Sequence, residues 1–520
     1  MIHHAKEYFE YEVVIKDARF EKEATAELHK EPEPYTSPYF ARKSSNTPDY
    51  STINGYSCYR DVEGTYQTME YLNTTYPNLT EIIDIGPSHL KSIGEGGREM
   101  KVLKLTNKSE VNFNKSHLFI ICSIHARELA PAEACTRFAE DLLEQYGTDS
   151  DKTWILDYTE IHMILEGNPD GREDEEANLH LRRKNMNFGE PISEDCEPIS
   201  PSIPCLLKKK IFEPDRRTQS CVPIYPCFET RNGVDLNRNF PHSQWNTVGT
   251  GSRCDETFAG YGAGSEQETI NIVNYMEGVL PPGTNQRDPQ TGAYPPDTKG
   301  VLMDVHSFGQ DFFWPYGYST SVDEPNDIEL TAFAKKLASH TSPEYSHDNV
   351  VYFTSGDTKD WAYDAIGIAP FTIEMGLSFH EGCTNFEDVE LANAMNSLLY
   401  AARVANAPYQ LPLGPEIFWM SVGTSENQVE LMIKISDSER ALGYTTGNQG
   451  IVSLNVFIDE HPYLTNATPA FEQTYPGTSS SVIDSILFNT TGFDLGEDKH
   501  ILYLQAFDTN GPGPVYSRYI

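Results

Sequence analysis

Four short apolar runs punctuate the middle of the chain: Leu118-Phe119-Ile120-Ile121, Ile161-His162-Met163-Ile164-Leu165, residues 301–305 and Phe371-Thr372-Ile373. Each is short for a helix and too apolar for a strand with one wet face, so each predicts a strand buried on both sides. Lys101-Val102-Leu103-Lys104-Leu105 alternates instead and predicts a further strand. Residues 66–76, 130–146 and 389–405 read as helices, and the second stops at Gly147. The tetrapeptide Asn168-Pro169-Asp170-Gly171 predicts a turn closing the strand at 161–165. Buried strands alternating with helices predict an α/β fold: a mixed, mostly parallel sheet flanked by helices on both faces.

Near Pro408 the pattern changes. Residues 429–435, 452–458, 482–488 and 501–507 read as strands, with Gly, Asn and Asp turns and no helix between them. They predict a C-terminal all-β sandwich domain. Residues 1–54 are charged, and Pro32, Pro34, Pro38 and Pro48 break any long element, which predicts an N-terminal arm or leader remnant. The expected domains are therefore 1–54, 55–408 with a Cys-rich insertion at about 186–232, and 409–520.

Composition narrows the function classes. With 29 Tyr, 25 Phe and 38% hydrophobic residues, the chain has enough apolar material for real cores. Its formal charge of -38 excludes the basic face that phosphate binding needs, so nucleic acid is not an expected partner. No run of about 18 apolar residues predicts a transmembrane span. Six Asn-x-Ser/Thr sequons, at Asn73, Asn78, Asn107, Asn114, Asn466 and Asn489, point to secretion, although some arise by chance. So do Cys196, Cys205, Cys221, Cys227 and Cys254, clustered in a polar, Pro-rich stretch that disulfides would hold. Cys122 and Cys135 read as small buried residues. Met1 to Lys6 show no signal-peptide core, so an extracellular protein would have to lack its true N-terminus here.

Candidate chemistry sits at strand ends. His125-Ala126-Arg127-Glu128 follows the first buried strand and precedes a helix. His306 ends another such strand, in Asp304-Val305-His306-Ser307. A catalytic zinc commonly takes two His and one carboxylate and leaves a position to water. Strand ends of an open α/β sheet are where sites gather. Glu374 follows the run Phe371-Thr372-Ile373, where a carboxylate is costly unless used or paired. Zinc hydrolases need such a base to take a proton from water. Arg182-Arg183-Lys184-Asn185 and Asp235-Leu236-Asn237-Arg238-Asn239-Phe240 supply forked cations suited to carboxylates and oxyanions, with Arg182 read as solvated charge.

In this order the motifs H-A-R-E, N-P-D-G, R-K-N, D-x-N-R-N and F-T-x-E resemble the zinc carboxypeptidase family, its pancreatic-type A/B branch, over about residues 56–408. The resemblance implies a metallocarboxypeptidase, a peptide hydrolase acting on free C-termini of peptides or proteins. It implies one zinc ion per chain on His125, Glu128 and His306, with Glu374 as general base and Arg183 facing the oxyanion. Asn237, Arg238 and Tyr352 would hold the terminal carboxylate, Arg127 would line the next subsite, and Asp235 would orient the His125 ring. It also implies a Cys227–Cys254 bridge, leaving Cys196, Cys205 and Cys221 as candidates for one more. The insertions at about 186–232 and 281–300 are expected to border the cleft, and a monomer is expected. A catalytically inactive, peptide-binding relative is the alternative, but such relatives lose a ligand or the base, and neither is lost here.

The family's side-chain pocket is set fifteen positions before the base, which falls on Lys359, with Gly317, Thr354, Asp357 and Thr372 as further wall positions. An ammonium there implies preference for C-terminal Glu, then Asp. The competing expectation is that Asp357 or Asp360 neutralises Lys359, which then points out of the pocket.

Overall fold

A computed structural model describes residues 12–14, 50–110, 114–188, 232–321, 324–347, 351–425, 428–437, 449–490 and 499–520. Nearly all of the expected Cys-rich insertion, and most of residues 1–54, lie outside these. The central sheet has eight strands: β1 (Thr80–Pro87), β2 (Glu99–Leu105), β3 (Ser116–Cys122), β4 (Thr159–Ile164), β5 (Val301–His306), β6 (Asp311–Phe313), β7 (Ser346–His347) and β8 (Ala369–Glu374), in the order β7-β6-β8-β5-β3-β4-β2-β1. The inner four, β8-β5-β3-β4, run parallel; β1 and β2 pair antiparallel on one side, and β6 pairs antiparallel to β8 on the other. The apolar runs that predicted buried strands thus became the parallel centre, where both faces need cover.

The principal helices are α1 (Val62–Thr75), α2 (Leu129–Glu144), α3 (Ser150–Tyr158), α4 (Pro169–Asn178), α5 (Gln267–Val279), α6 (Asp327–Ser339) and α7 (Leu391–Val404), and all but α4 supply that cover. One core joins a sheet face, through Leu118, Ile120, Met163 and Met303, to α1, α2, α3, α6 and α7. A second joins the other face, through Phe119, Ile121, Ile164 and Leu302, to α5. The expected turn at 168–171 is instead the start of α4: Asn168 caps it by accepting from the Gly171 N–H, and Pro169 takes a first-turn position that needs no N–H.

Beyond Tyr409 the chain forms two further sheets. One contains β9 (Glu416–Ser425), β10 (Gln428–Ser436) and β13 (Ser481–Asn489), with Glu12–Val14 added beside β13. The other contains β11 (Ser453–Ile458), β12 (Phe471–Thr474), β14 (Ile501–Phe507) and β15 (Pro512–Tyr519). Ile433 and Ile435 of one meet Val456 and Leu504 of the other in a third core, as the alternating runs required. This β unit docks firmly. Arg403 of α7 donates to Val515 O (2.7 Å) and pairs with Asp151 of α3 (2.8 Å), which also accepts from Ser517. His461 stacks on Tyr158 at 4.4 Å.

Candidate active site and metal centre

The site is built at the C-terminal ends of β3, β5 and β8. After β3 the chain turns through Ser123, whose φ of 58° is left-handed, and delivers His125 and Glu128. Glu128 stands at the N-cap of α2 without capping it, because its carboxylate faces the two histidines. Its backbone carbonyl accepts from Arg172 Nη1 at 2.8 Å. Cys122 and Cys135, read from sequence as small buried residues, instead form a disulfide that clasps the ends of this loop.

His125 Nδ1 lies 2.7 Å from Glu128 Oε1, His306 Nδ1 lies 2.9 Å from Glu128 Oε2, and the two Nδ1 atoms are 3.0 Å apart. All three side chains are buried. Their outer ring nitrogens are backed by carboxylates: His125 Nε2 by Asp235 Oδ1 (3.1 Å) and His306 Nε2 by Asp304 Oδ2 (2.9 Å). Each ring therefore turns its other nitrogen to a common point, and a two-His, one-carboxylate donor set with acceptors behind both rings fits zinc.

Asp235 also accepts from Arg183 Nε (2.9 Å) and the Asn237 N–H (3.1 Å). Burial alone would raise its carboxyl, but Arg183, His125 and Arg238 hold it well below the usual range. Glu374, at the end of β8, pairs in register with His306. Burial, then the charge of Glu128, push its carboxyl up to about 7.

His125, Arg183, Asn237, Arg238, His306, Tyr352, Lys359 and Glu374 line one pocket. Three residues singled out in the sequence have partners of their own within the protein. Asn237 lines the pocket, but its amide donates to Asp304 (3.0 Å) and accepts from the Thr358 N–H (2.9 Å). Arg127 is bidentate on Glu256, at 3.1 Å twice, and lies over the Phe379 ring. Arg182, read as solvated, is buried against Asp174. Asp304 was given no role, though its spacing was a signal: a carboxylate two residues before His306 on one strand shares its face.

Lys359 reaches the pocket but is not free. Its Nζ lies 2.6 Å from Asp357 Oδ2 and 3.2 Å from Asp360 Oδ1. Asp360 accepts the Gly317 N–H on both oxygens at 3.0 Å, and a Cβ at Gly317 would collide with this cluster. Burial, then Asp357, push the Asp360 carboxyl up to about 6. The stretch 281–300 supplies no residue to the pocket; its Tyr294 donates to Tyr363 O instead. Cys254 is disulfide-bonded, but Cys227 lies outside the described residues.

A family model described as zinc carboxypeptidase matches residues 65–385. The chain belongs to the zinc carboxypeptidase family. This carboxypeptidase, a metal-dependent peptide hydrolase, is 25% identical over 372 residues to carboxypeptidase A1 of Bos taurus, covering 70% of this chain and 71% of that relative. It is 28% identical over 339 residues to metallocarboxypeptidase A of Arthroderma otae (63% and 65% covered) and 26% over 290 residues to human carboxypeptidase B (54% and 55%). Among solved structures its fold is similar to thrombin activatable fibrinolysis inhibitor (TM-score 0.52, 21% identity, 71% of this chain and 80% of that one). It is also similar to carboxypeptidase A from Helicoverpa armigera (TM-score 0.51, 20% identity, 70% and 77% covered). No helix among the described residues is long and apolar enough to cross a membrane.

Proposed function

We propose that His125, Glu128 and His306 hold one zinc ion and that the chain releases single residues from free peptide C-termini. His125 and His306 share one pocket with Glu374 and Arg183, and Glu128 joins the two histidines behind it; this convergence carries the reading. Zinc, when bound, supplies the positive charge that acidifies water and polarises the scissile carbonyl. Glu374, with a carboxyl near neutral, takes a proton as water oxygen bonds to the carbonyl carbon, then gives it to the amine as the C–N bond breaks. Arg183, fixed by Asp235, offers its charge to the developing oxyanion. Asn237, Arg238 and Tyr352 hold the terminal carboxylate, and Asn237, whose Nδ2 lies 2.9 Å from His306 Nε2, also steadies that ring.

We assign Lys359 to the side-chain pocket, with a preference for C-terminal Glu, then Asp, that its pairing with Asp357 and Asp360 weakens. The disulfides Cys58–Cys383 and Cys122–Cys135 support an oxidising, extracellular setting. Of the sequons, Asn78, Asn114, Asn466 and Asn489 are exposed, whereas Asn107 donates its amide to Tyr146 and Asp157.

The test pairs Glu374→Gln with amidated substrates. Glu374→Gln should retain zinc and lose turnover by at least about a hundredfold, the usual scale for a general base. Wild type should cleave free C-termini and spare amidated ones. Equal cleavage of both would refute the exopeptidase reading.

A further inference from the structure

The catalytic residues leave β3, β5 and β8 at their C-terminal ends. A second group meets at the opposite end of the sheet. In the parallel register of β3 and β4, His117 faces Glu160 and Phe119 faces His162. The strand pleat puts His117, Glu160 and His162 on the face that α5 covers. His117 Nδ1 lies 3.1 Å from His162 Nε2, and Glu160 Oε2 lies 3.8 Å and 3.6 Å from those two nitrogens. A tetrahedral zinc with bonds near 2.0–2.1 Å separates its ligand atoms by about 3.3 Å. The three separations bracket that value. We propose that His117, Glu160 and His162 form a second site for a divalent transition-metal cation of the zinc type, separate from the catalytic centre.

The surroundings suit a ligand set. His162 Nδ1 lies 2.7 Å from Tyr275 OH on α5, so an outer partner fixes the ring while Nε2 points to the cluster. The ring also stacks on Phe119, with centroids 4.8 Å apart. A neutral imidazole keeps a lone pair on one ring nitrogen, which is what a cation of this type takes. The side chains of His117 and Glu160 are 18% and 24% exposed, which leaves solvent access for the remaining coordination position. Two imidazoles and a carboxylate favour zinc and its neighbours over calcium or magnesium.

One group opposes the cation. Lys104 Nζ lies 2.8 Å from Glu160 Oε2 and must swing aside; its side chain is 19% exposed. Lys299 adds a second positive charge nearby. These two keep the affinity modest, and Lys104 makes the inference testable in both directions.

The experiment is equilibrium dialysis of the zinc-loaded full chain against buffered micromolar Zn2+, with bound zinc counted by mass spectrometry. Wild type should hold one zinc ion more than His117→Ala or Glu160→Gln. Lys104→Met, which removes the competing ammonium, should tighten the extra ion by about tenfold. Peptidase activity should be unchanged in all three variants, which also shows that they fold. Equal zinc content in wild type, His117→Ala and Glu160→Gln would overturn the proposal. So would an extra ion whose affinity ignores Lys104→Met.

Discussion

Lys359 shows why a residue's identity does not fix its effect. Its ammonium reaches the pocket, yet Asp357 and Asp360 already share it. With both carboxylates ionised, the three groups carry a net charge of minus one; with Asp360 protonated they are neutral. Because the Asp360 carboxyl is raised to about 6, that change falls in the working range. Below it a substrate glutamate meets a neutral cluster, and above it a negative one. The kcat/KM ratio for C-terminal Glu over C-terminal Leu should therefore fall between pH 5.5 and 7.5, by about tenfold for one nearby charge. Taking a ratio cancels the titration of Glu374. Asp360→Asn should flatten the profile, and a ratio independent of pH in wild type would remove Asp360 from specificity. The position of Lys359 was legible through the family resemblance, which implies a pocket residue fifteen positions before Glu374. Its partners were legible too, as Asp357 or Asp360; what stayed open was whether a neutralised Lys359 turns out of the pocket, and the space left beside Gly317 keeps it in. The zinc-ligand candidates were easier, each following an apolar strand whose end must face the site.

At the scale of elements, the loop between β3 and α2 carries His125 and Glu128 from one short stretch. The Cys122–Cys135 bridge ties its two flanks across 13 positions. Closing a loop of this size is worth about 3 kcal/mol through the unfolded state. Replacing both cysteines by alanine should lower stability by about that amount, and chelators should strip zinc faster, because the loop that presents two of the proposed ligands is freed. Unchanged zinc release would mean that Arg172, on the Glu128 carbonyl, holds the loop alone. This bridge was illegible because both cysteines lie in apolar surroundings, where a free thiol and a half-cystine look alike. The same limit applied to α5. Its buried positions include Glu268, Thr269 and Asn271, so hydrophobic spacing understated it. β1, with only Thr80 fully buried, carried too weak a pattern to predict. The inner strands were legible because cover on both faces demands unbroken apolar runs.

For the whole molecule, 77 acidic residues against 39 basic ones meet a set of buried and half-buried carboxyls that resist ionisation. Burial pushes Glu176, Glu268 and Asp437 each up to about 7, against 4.5 or 3.8 for the ordinary groups. Between those values the folded chain binds more protons than the unfolded one, so stability falls as pH rises through that window. Carboxyls held low by cations act oppositely. Half-buried Asp151 beside Arg403 and buried Glu133 beside Arg60 would be raised by burial alone, but their partners win. Their contribution is present above the ordinary carboxyl range and is lost only in stronger acid. Self-repulsion of the large negative charge also grows with pH. The three effects place maximum stability near pH 5 to 6. With zinc held saturating and the scan rate fixed, apparent Tm at pH 5.5 should exceed that at pH 8 by about 5 °C. Salt separates the causes, because it screens surface repulsion but hardly reaches buried groups. The difference should therefore shrink in about 0.5 M salt and not vanish. Complete loss of the difference would assign it to surface charge alone. A higher Tm at pH 8 would show that the buried carboxyls are ionised and paired in the folded chain.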